Sequence, residues 1–373
     1  MAEQQAQPQV LRIEKLLRTM VENKASDLHI RVGTPPIFRI NGSLQKLFDT
    51  RVDAAAMDSF LDDIMNRDQK LRFEQNKECD FAVGARDMGR FRVNVFRQRG
   101  TIAIVIRHIK AKIPAFEELH LPEVIREIAQ TRRGLVLVTG TTGSGKSTTL
   151  ASMLDYINQT DMVNIITVED PIEYLYRDNR SIISQREIGV DTLSYANALK
   201  AALRQDPDVL LVGEIRDLET MQIALTAADT GHMVFATIHT TNATETIQRV
   251  LSMYPPHQHD EIRLLLGEVL AAVISLRLLP TKDGKGRVPA CEILVNKGAI
   301  KEYIQDKNKM ELIVQAIAEG HIQYRSQTFD QALLELYQTE QIDLETAMNA
   351  ATNKDDFDLK IRGISGTSDR SWT

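Results

Sequence analysis

Cysteine is nearly missing from this chain: of 373 residues, only Cys79 and Cys291 carry thiols. Two such distant cysteines cannot build a four-cysteine zinc module, and their scarcity fits a reducing compartment. Basic residues do not predominate either. Lysine and arginine number 45 against 51 acidic residues, leaving a net charge of −6 and a pI near 5.8. That balance argues against a broad nucleic-acid-binding surface, although a local basic groove is compatible with it. No apolar run approaches the ~20 residues that span a bilayer. The start, MAEQQAQPQVLRIEKLL, lacks the basic-then-apolar order of a secretory signal, so a cytoplasmic protein is expected. Internal repeats and low-complexity segments are absent too. What remains has the 43% hydrophobic and 26% charged content of a globular protein, long enough for two domains and a tail.

What is present centres on residues 134–158, GLVLVTGTTGSGKSTTLASMLDYIN. Leu135 to Thr139 is an apolar run of strand type. A glycine-rich loop follows, Gly140-Thr141-Thr142-Gly143-Ser144-Gly145, and leads into Lys146, Ser147 and Thr148. Beyond it Leu150, Met153, Leu154 and Ile157 recur at the spacing of a helix with one buried face. Strand, loop and helix in that order give the G-x-x-x-x-G-K-[ST] pattern the context that a phosphate site requires. Small residues let the backbone close around phosphate oxygens, and N–H groups at the helix start point inward. Lys146 would reach the β- and γ-phosphates, and the Ser147 hydroxyl would face Mg²⁺. The alternative is an ordinary glycine-rich βα turn.

Before this core, helical spacing covers Val10–Glu22, and strands are expected around Gly33-Thr34-Pro35-Pro36 with a hairpin turn at Asn41-Gly42. One helix is expected over 53–75. Three strands follow at Cys79–Val83, Gly89–Gln98 and Thr101–Ile109. After the core, strand-like runs (Val163–Val168, Val209–Gly213, Met233–Ile238) alternate with helices at 195–205, 217–230 and 243–253. This is the βαβ rhythm of a parallel sheet buried on both faces. Asp260–Leu279 reads as one long amphipathic helix, Arg287–Val295 as a strand, and 298–350 as helices. The expected organisation is a disordered start (1–9), an α+β domain (10–112), a linker (113–121), an α/β P-loop domain with C-terminal helices (122–350), and a loose tail (351–373).

Two strand ends supply acids. TVEDPIE places Glu169, Asp170 and Glu173 just past a strand, on the ligand-binding edge of a doubly wound sheet. Glu169 and Asp170 there could reach Mg²⁺ through water. DPDVLLVGE ends an apolar strand in Glu214, the better candidate for polarising an attacking water. His232 precedes the strand Met233–Ile238 and His239 follows it, with no Cys or His partner at zinc spacing.

The order GTTGSGKST, TVEDPIE, DPDVLLVGEIRD and TGHMVFATIHTTNATETIQRV resembles the secretion ATPases of type II secretion and type IV pili. Those stretches correspond to that family's Walker A, Asp box, Walker B and His box, and with SDLHI, PPIFRING and GRFRVNVF the resemblance spans roughly residues 10 to 340. Its short N-terminal domain is most similar to the PilT-type pilus-retraction ATPases. The resemblance implies a RecA-like core behind a PAS-like N-terminal domain, ATP and Mg²⁺ as cofactors, and a homohexameric ring acting on an inner-membrane platform protein of PilC type at the cytoplasmic face. It implies catalytic roles for Glu173, Glu214, His232 and His239. For Arg92, Arg99 and Arg107 it implies contact with the γ-phosphate across a domain or subunit boundary. In one stretch the family's Arg-Asn pair is replaced, giving Ala299-Ile300-Lys301-Glu302, and QTFDQALLELYQ leans toward the accessory PilU-type paralogue. The alternatives are therefore an accessory retraction ATPase, an assembly or type II secretion ATPase, and a RecA-like nucleic-acid motor.

Overall fold

A computed structural model of the chain describes residues 11–40, 42–109 and 113–362. The expected disordered start at 1–9, Asn41 of the expected turn, and the last part of the expected tail lie outside the described residues. The chain divides into two compact units between Lys112 and Ile113, with Glu173–Leu175 counted in the first.

The first unit is α+β. Helix α1 (Ile13–Glu22) is followed by β1 (Asp27–Arg31), β2 (Ile37–Ile40) and β3 (Ser43–Lys46), then α2 (Ala54–Ile64), α3 (Arg67–Asn76), and the meander β4 (Glu78–Ala85), β5 (Gly89–Gln98) and β6 (Thr101–Ile109). The strands form one antiparallel sheet in the order β3-β2-β1-β6-β5-β4. Strict alternation makes the sheet two-faced. Phe81, Phe91, Val93, Val95, Ile104 and Ile106 pack against Leu16, Met20, Met57 and Phe60 of the helices, while the other face is mixed, with Asp27, His29, Arg92 and Arg107 beside Ile37, Phe96 and Val105. The single helix expected over 53–75 is two. Met65 turns extended (φ −109°, ψ 131°), and Asn66 opens α3 with a reciprocal capping box to Gln69, whose N–H donates to Asn66 at 2.9 Å. An asparagine ahead of glutamine is a helix start that apolar spacing alone does not register.

In the second unit come α4 (Phe116–Leu119), α5 (Glu123–Ala129), β7 (Gly134–Thr139), α6 (Lys146–Thr160), β8 (Asn164–Glu169), β9 (Ile182–Glu187), α7 (Tyr195–Ala202), β10 (Val209–Val212), α8 (Leu218–Asp229), β11 (Met233–Ile238), α9 (Ala243–Ser252), α10 (His259–Val269), β12 (Leu270–Pro280) and β13 (Arg287–Val295). Helices α11 (Ala299–Gln305), α12 (Ile313–Glu319), α13 (His321–Tyr324), α14 (Phe329–Gln338), α15 (Leu344–Ala350) and α16 (Lys354–Ile361) complete it. The sheet order is β13-β12-β7-β11-β10-β8-β9, parallel except for β13. Alternate residues of each central strand enter opposite cores. Leu135 and Leu137 of β7 join α7 to α10 on one side; Val136 and Val138 join α5 and α6 on the other. No helix among the described residues is long and apolar enough to cross a membrane.

Two expectations need correction here, and one strand comes in addition to them. Asp260–Leu279 is not one helix: α10 stops at Val269, and Leu270 onward is a strand beside β7. Ala272 to Leu276 are all buried, and a strand covered on both faces gives a continuous apolar run that periodicity cannot separate from a helix. β9 was not anticipated, because Ile-Ile-Ser-Gln-Arg-Glu is a polar edge strand with no such run. The 113–121 stretch, expected as a linker, begins where the second unit begins and packs into it. Phe116 of α4 is buried edge-on to Tyr156 at 5.6 Å, with the Arg126 guanidinium over both rings. The tail beyond 350 begins with a docked helix, α16, whose Phe357 is fully buried among Phe329, Leu333 and Ala347. Phe357→Ala should therefore destabilise this unit by about 3–5 kcal/mol in urea melts. A loss under about 1 kcal/mol would mean that α16 is not docked.

Candidate active site

The loop after β7 is shaped by glycines at positive φ. Gly140 sits at +136°, Gly143 at +82° and Gly145 at +103°. At Gly140 freedom is matched by crowding: a Cβ there would lie 2.5 Å from Ser144 Oγ and 2.6 Å from the Leu276 carbonyl. The loop thus returns directly into α6, and Lys146, Ser147 and Thr148 form its first turn, where backbone N–H groups have no intrahelical acceptor. The Lys146 ammonium is buried and donates to the carbonyls of Gly140 (2.8 Å) and Thr141 (3.0 Å). It is held inside the cradle where phosphate oxygens would sit. Thr141, Thr142 and Gly143 are exposed at the rim.

Across the cradle stand the ends of β8 and β10. Val168 and Val212 are paired in register, and the Gly213 N–H donates to the Val168 carbonyl at 2.8 Å. Gly213 must be small: a Cβ would lie 3.0 Å from Tyr195 Oη and 3.1 Å from the Glu169 Cα. That approach brings Glu214 to the edge, half-buried. Its Oε2 accepts from Arg216 Nη2 at 2.6 Å, and its Oε1 lies 3.2 Å from His239 Nε2 at the end of β11. The Arg216 hydrogen bond, then the charges of Arg216, His239 and Lys146, hold the Glu214 carboxyl below the usual carboxylate range, with burial opposing. The group is an anion at neutral pH.

Glu169 is buried, and its Oε1 accepts from Thr167 Oγ1 at 2.7 Å and Gln185 Nε2 at 3.3 Å. Asp170 is exposed beside it. Tyr195 closes this side: burial first, then the charges of Asp170, Glu214 and Glu169, push its hydroxyl well above the ordinary tyrosine range. It therefore stays protonated as a donor. Among the described residues no group of three or more His, Cys, Asp or Glu could cage a metal ion. The Ser147 hydroxyl in the first turn of α6 fits the one or two protein ligands that Mg²⁺ takes when phosphates and water supply the rest.

Residues 2–344 match the family described as type II/IV secretion system protein. The chain belongs to this family. Its relatives include the type IV pilus ATPase PilU of Pseudomonas aeruginosa, 41% identical over 94% of this chain and 92% of the relative. They also include the type IV pilus retraction ATPase PilT of the same organism, 42% identical over 92% of this chain and 99% of the relative. A crystal structure of the pilus retraction motor PilT with bound ADP superposes with a TM-score of 0.87 at 44% identity, covering 93% of this chain and 98% of that one.

Within this member of the secretion family, the sequence-derived residues are not all brought together. Lys146, Ser147, Glu169, Asp170, Glu214 and His239 share the C-terminal edge of the parallel sheet. His232 does not. It lies at the opposite end of β11, seven residues or roughly 23 Å from His239 at the rise of a parallel strand. There its Nδ1 is 2.9 Å from the Ala227 carbonyl and 3.2 Å from Thr230 Oγ1, so it closes the turn between α8 and β11. Glu173 is exposed and lies in the segment Glu173–Leu175 that belongs to the first unit.

The arginines of the first unit also separate. Arg92 and Arg107 are direct cross-strand partners; Arg92 pairs with Asp80 at 2.5 Å and Arg107 with Asp27 at 2.9 Å. Arg99 instead sits at φ +49° in the two-residue turn after β5, ahead of Gly100. It is seven residues from Arg92 and outside that pair, because a hairpin tip and a mid-strand position cannot meet. Two residues went unnoticed as site members in the sequence. Arg216 was legible in GEIRD as a charge two residues from Glu214, whereas Tyr195 had no sequence signal, being placed by the packing of α7 against Gly213.

Proposed function

We propose that the chain is a Mg²⁺-dependent ATPase motor that powers type IV pilus retraction, and with it twitching motility. The observation that carries this reading is the anionic Glu214, held by Arg216 and His239 across the cradle from Lys146. It is supported by near full-length similarity to a named retraction ATPase. ATP would lie with its phosphates on the loop Gly140–Gly145, and Mg²⁺ would be held by Ser147 and the phosphates, with Glu169 and Asp170 behind water. Glu214 orients the attacking water, and His239 steadies Glu214.

The working assembly is a homohexamer at the cytoplasmic face of the inner membrane, pulling on a PilC-type platform protein with no nucleic-acid substrate. In that ring the role of reaching the γ-phosphate from the first unit falls to the Arg92 and Arg107 pair before Arg99, and Glu173 acts from the segment it shares with that unit. An accessory role beside a retraction paralogue is the second reading, favoured by equal similarity to PilU. A deletion strain separates them. Accumulated surface pili without twitching support the retraction motor, and partial twitching supports the accessory role. Absent pili would instead indicate an assembly ATPase, and stimulation of the purified ATPase by single-stranded DNA would indicate a nucleic-acid motor.

A further inference from the structure

Behind the phosphate loop, polar side chains line up through an otherwise apolar sheet. Thr139, the residue before Gly140, donates Oγ1 to Ser275 Oγ at 2.9 Å, and both are fully buried. Ser275 lies directly opposite Glu292 in the β12–β13 register. Glu292 is itself buried, and its Oε1 accepts the Ala243 N–H at 2.7 Å. Ala243 is the first residue of α9 and is fully buried, so this N–H cannot turn to water. Asn242 already caps the helix by accepting from Glu245 at 2.8 Å, which leaves the Ala243 N–H to Glu292. Three residues upstream of Asn242 is His239, the partner of Glu214.

A glutamine would satisfy the same N–H without placing an acid in an apolar layer, where a charge is costly. The charged groups that face Glu292 are Arg277 on β12 and Asp330 on α14. Arg277 does not form an ion pair with it; its guanidinium lies 3.8 Å over the Phe329 ring and donates to the Ala350 carbonyl at 2.6 Å. Burial pushes the Glu292 carboxyl up to about 7, with the Ala243 hydrogen bond and Arg277 acting against it and Asp330 adding to it.

We propose that Glu292 is a positioning residue for hydrolysis: its carboxylate fixes the start of α9, and so the 239–242 loop that holds His239 against Glu214. A charged acceptor binds an N–H roughly twice as strongly as a neutral one, and negative charge is favoured at a helix start. The loop is therefore held more firmly above neutral pH than below it.

This inference rests on the ATPase reading and is tested beside it. In the wild type, kcat rises through a one-proton step near the Glu292 value. Glu292→Gln, a neutral acceptor of the same shape, should lack that step and run about 5–10-fold slower at pH 8, with KM for ATP within about twofold. Glu292→Ala, with no acceptor, should be about tenfold slower again, and amide exchange at Ala243 should quicken. A readout without nucleotide accompanies these. The acid's folded pKa is raised, so the wild type loses stability as pH climbs from the ordinary glutamate value to about 7. The thermal midpoint of Glu292→Gln should accordingly gain on the wild type between pH 5 and pH 8. A Gln variant that keeps the step and the wild-type kcat overturns the proposal, as does a constant thermal gap. Turnover surviving in Lys146→Ala would sink the ATPase site instead, so the two failures are distinguishable.

Discussion

Glu214→Gln leaves nucleotide bound and cuts turnover by about 10³-fold, or roughly 4 kcal/mol of transition-state stabilisation. The argument starts from what the substitution preserves. Gln keeps the volume and one acceptor oxygen, so the Arg216 hydrogen bond survives in weaker form, its acceptor now neutral. Lys146, the loop Gly140–Gly145 and the first turn of α6 are untouched, so the phosphates keep their contacts. What is lost is the anion. The Arg216 contact and the charges of His239 and Lys146 hold Glu214 ionised, so at neutral pH it can accept a hydrogen bond from a water but not donate one. An amide presents no negative charge to a water that must become nucleophilic. Equilibrium binding of a fluorescent ATP analogue should match the wild type within about threefold, while phosphate release in single-turnover assays falls by the full factor. Equal losses in binding and turnover would show that Glu214 acts on the loop's shape and not on the water.

How much of this was readable in advance depended on how local each determinant was. The phosphate loop is a consecutive string whose residues are chosen by backbone sterics, so Gly140, Gly143 and Gly145 announced it. The meander of the first unit was equally plain, since Phe91, Val93 and Val95 alternate with Arg92 and Asn94 on a sheet with one buried face. Strands buried on both faces lost that alternation, and β12 was mistaken for helix because nothing in Leu270–Leu279 marks which residues meet a second core. Phe357 was invisible for a related reason: one aromatic among charges becomes a core residue only once α14 and α15 are there to receive it. In the site, motif order named Glu214 and His239. It also named His232, because a sequence lists both ends of a strand as neighbours and the fold sets them a strand-length apart.

Lys146→Ala should remove turnover below detection and weaken ATP binding by about 10²–10³-fold, with the fold kept. Its ammonium is the buried positive charge of the cradle, donating to the carbonyls of Gly140 and Thr141. Those carbonyls belong to the same loop that must present N–H groups to phosphate. The lysine therefore does two things: it offsets phosphate charge when nucleotide is bound, and it keeps the loop open around itself when nucleotide is absent. Alanine forfeits both, and two carbonyls lose a donor next to a glycine that tolerates no closer packing. Lys146→Arg separates the effects. It restores the charge, but a planar guanidinium is larger than the space between those carbonyls, so it should recover binding in part and turnover hardly at all. Thermal melts of both variants within a few degrees of the wild type, with ATP-induced stabilisation lost only in the alanine form, would assign the loss to the site. If the alanine variant still gained stability from ATP, the phosphate would have to be held by the α6 N–H groups alone, and the ammonium would be a prop for the loop.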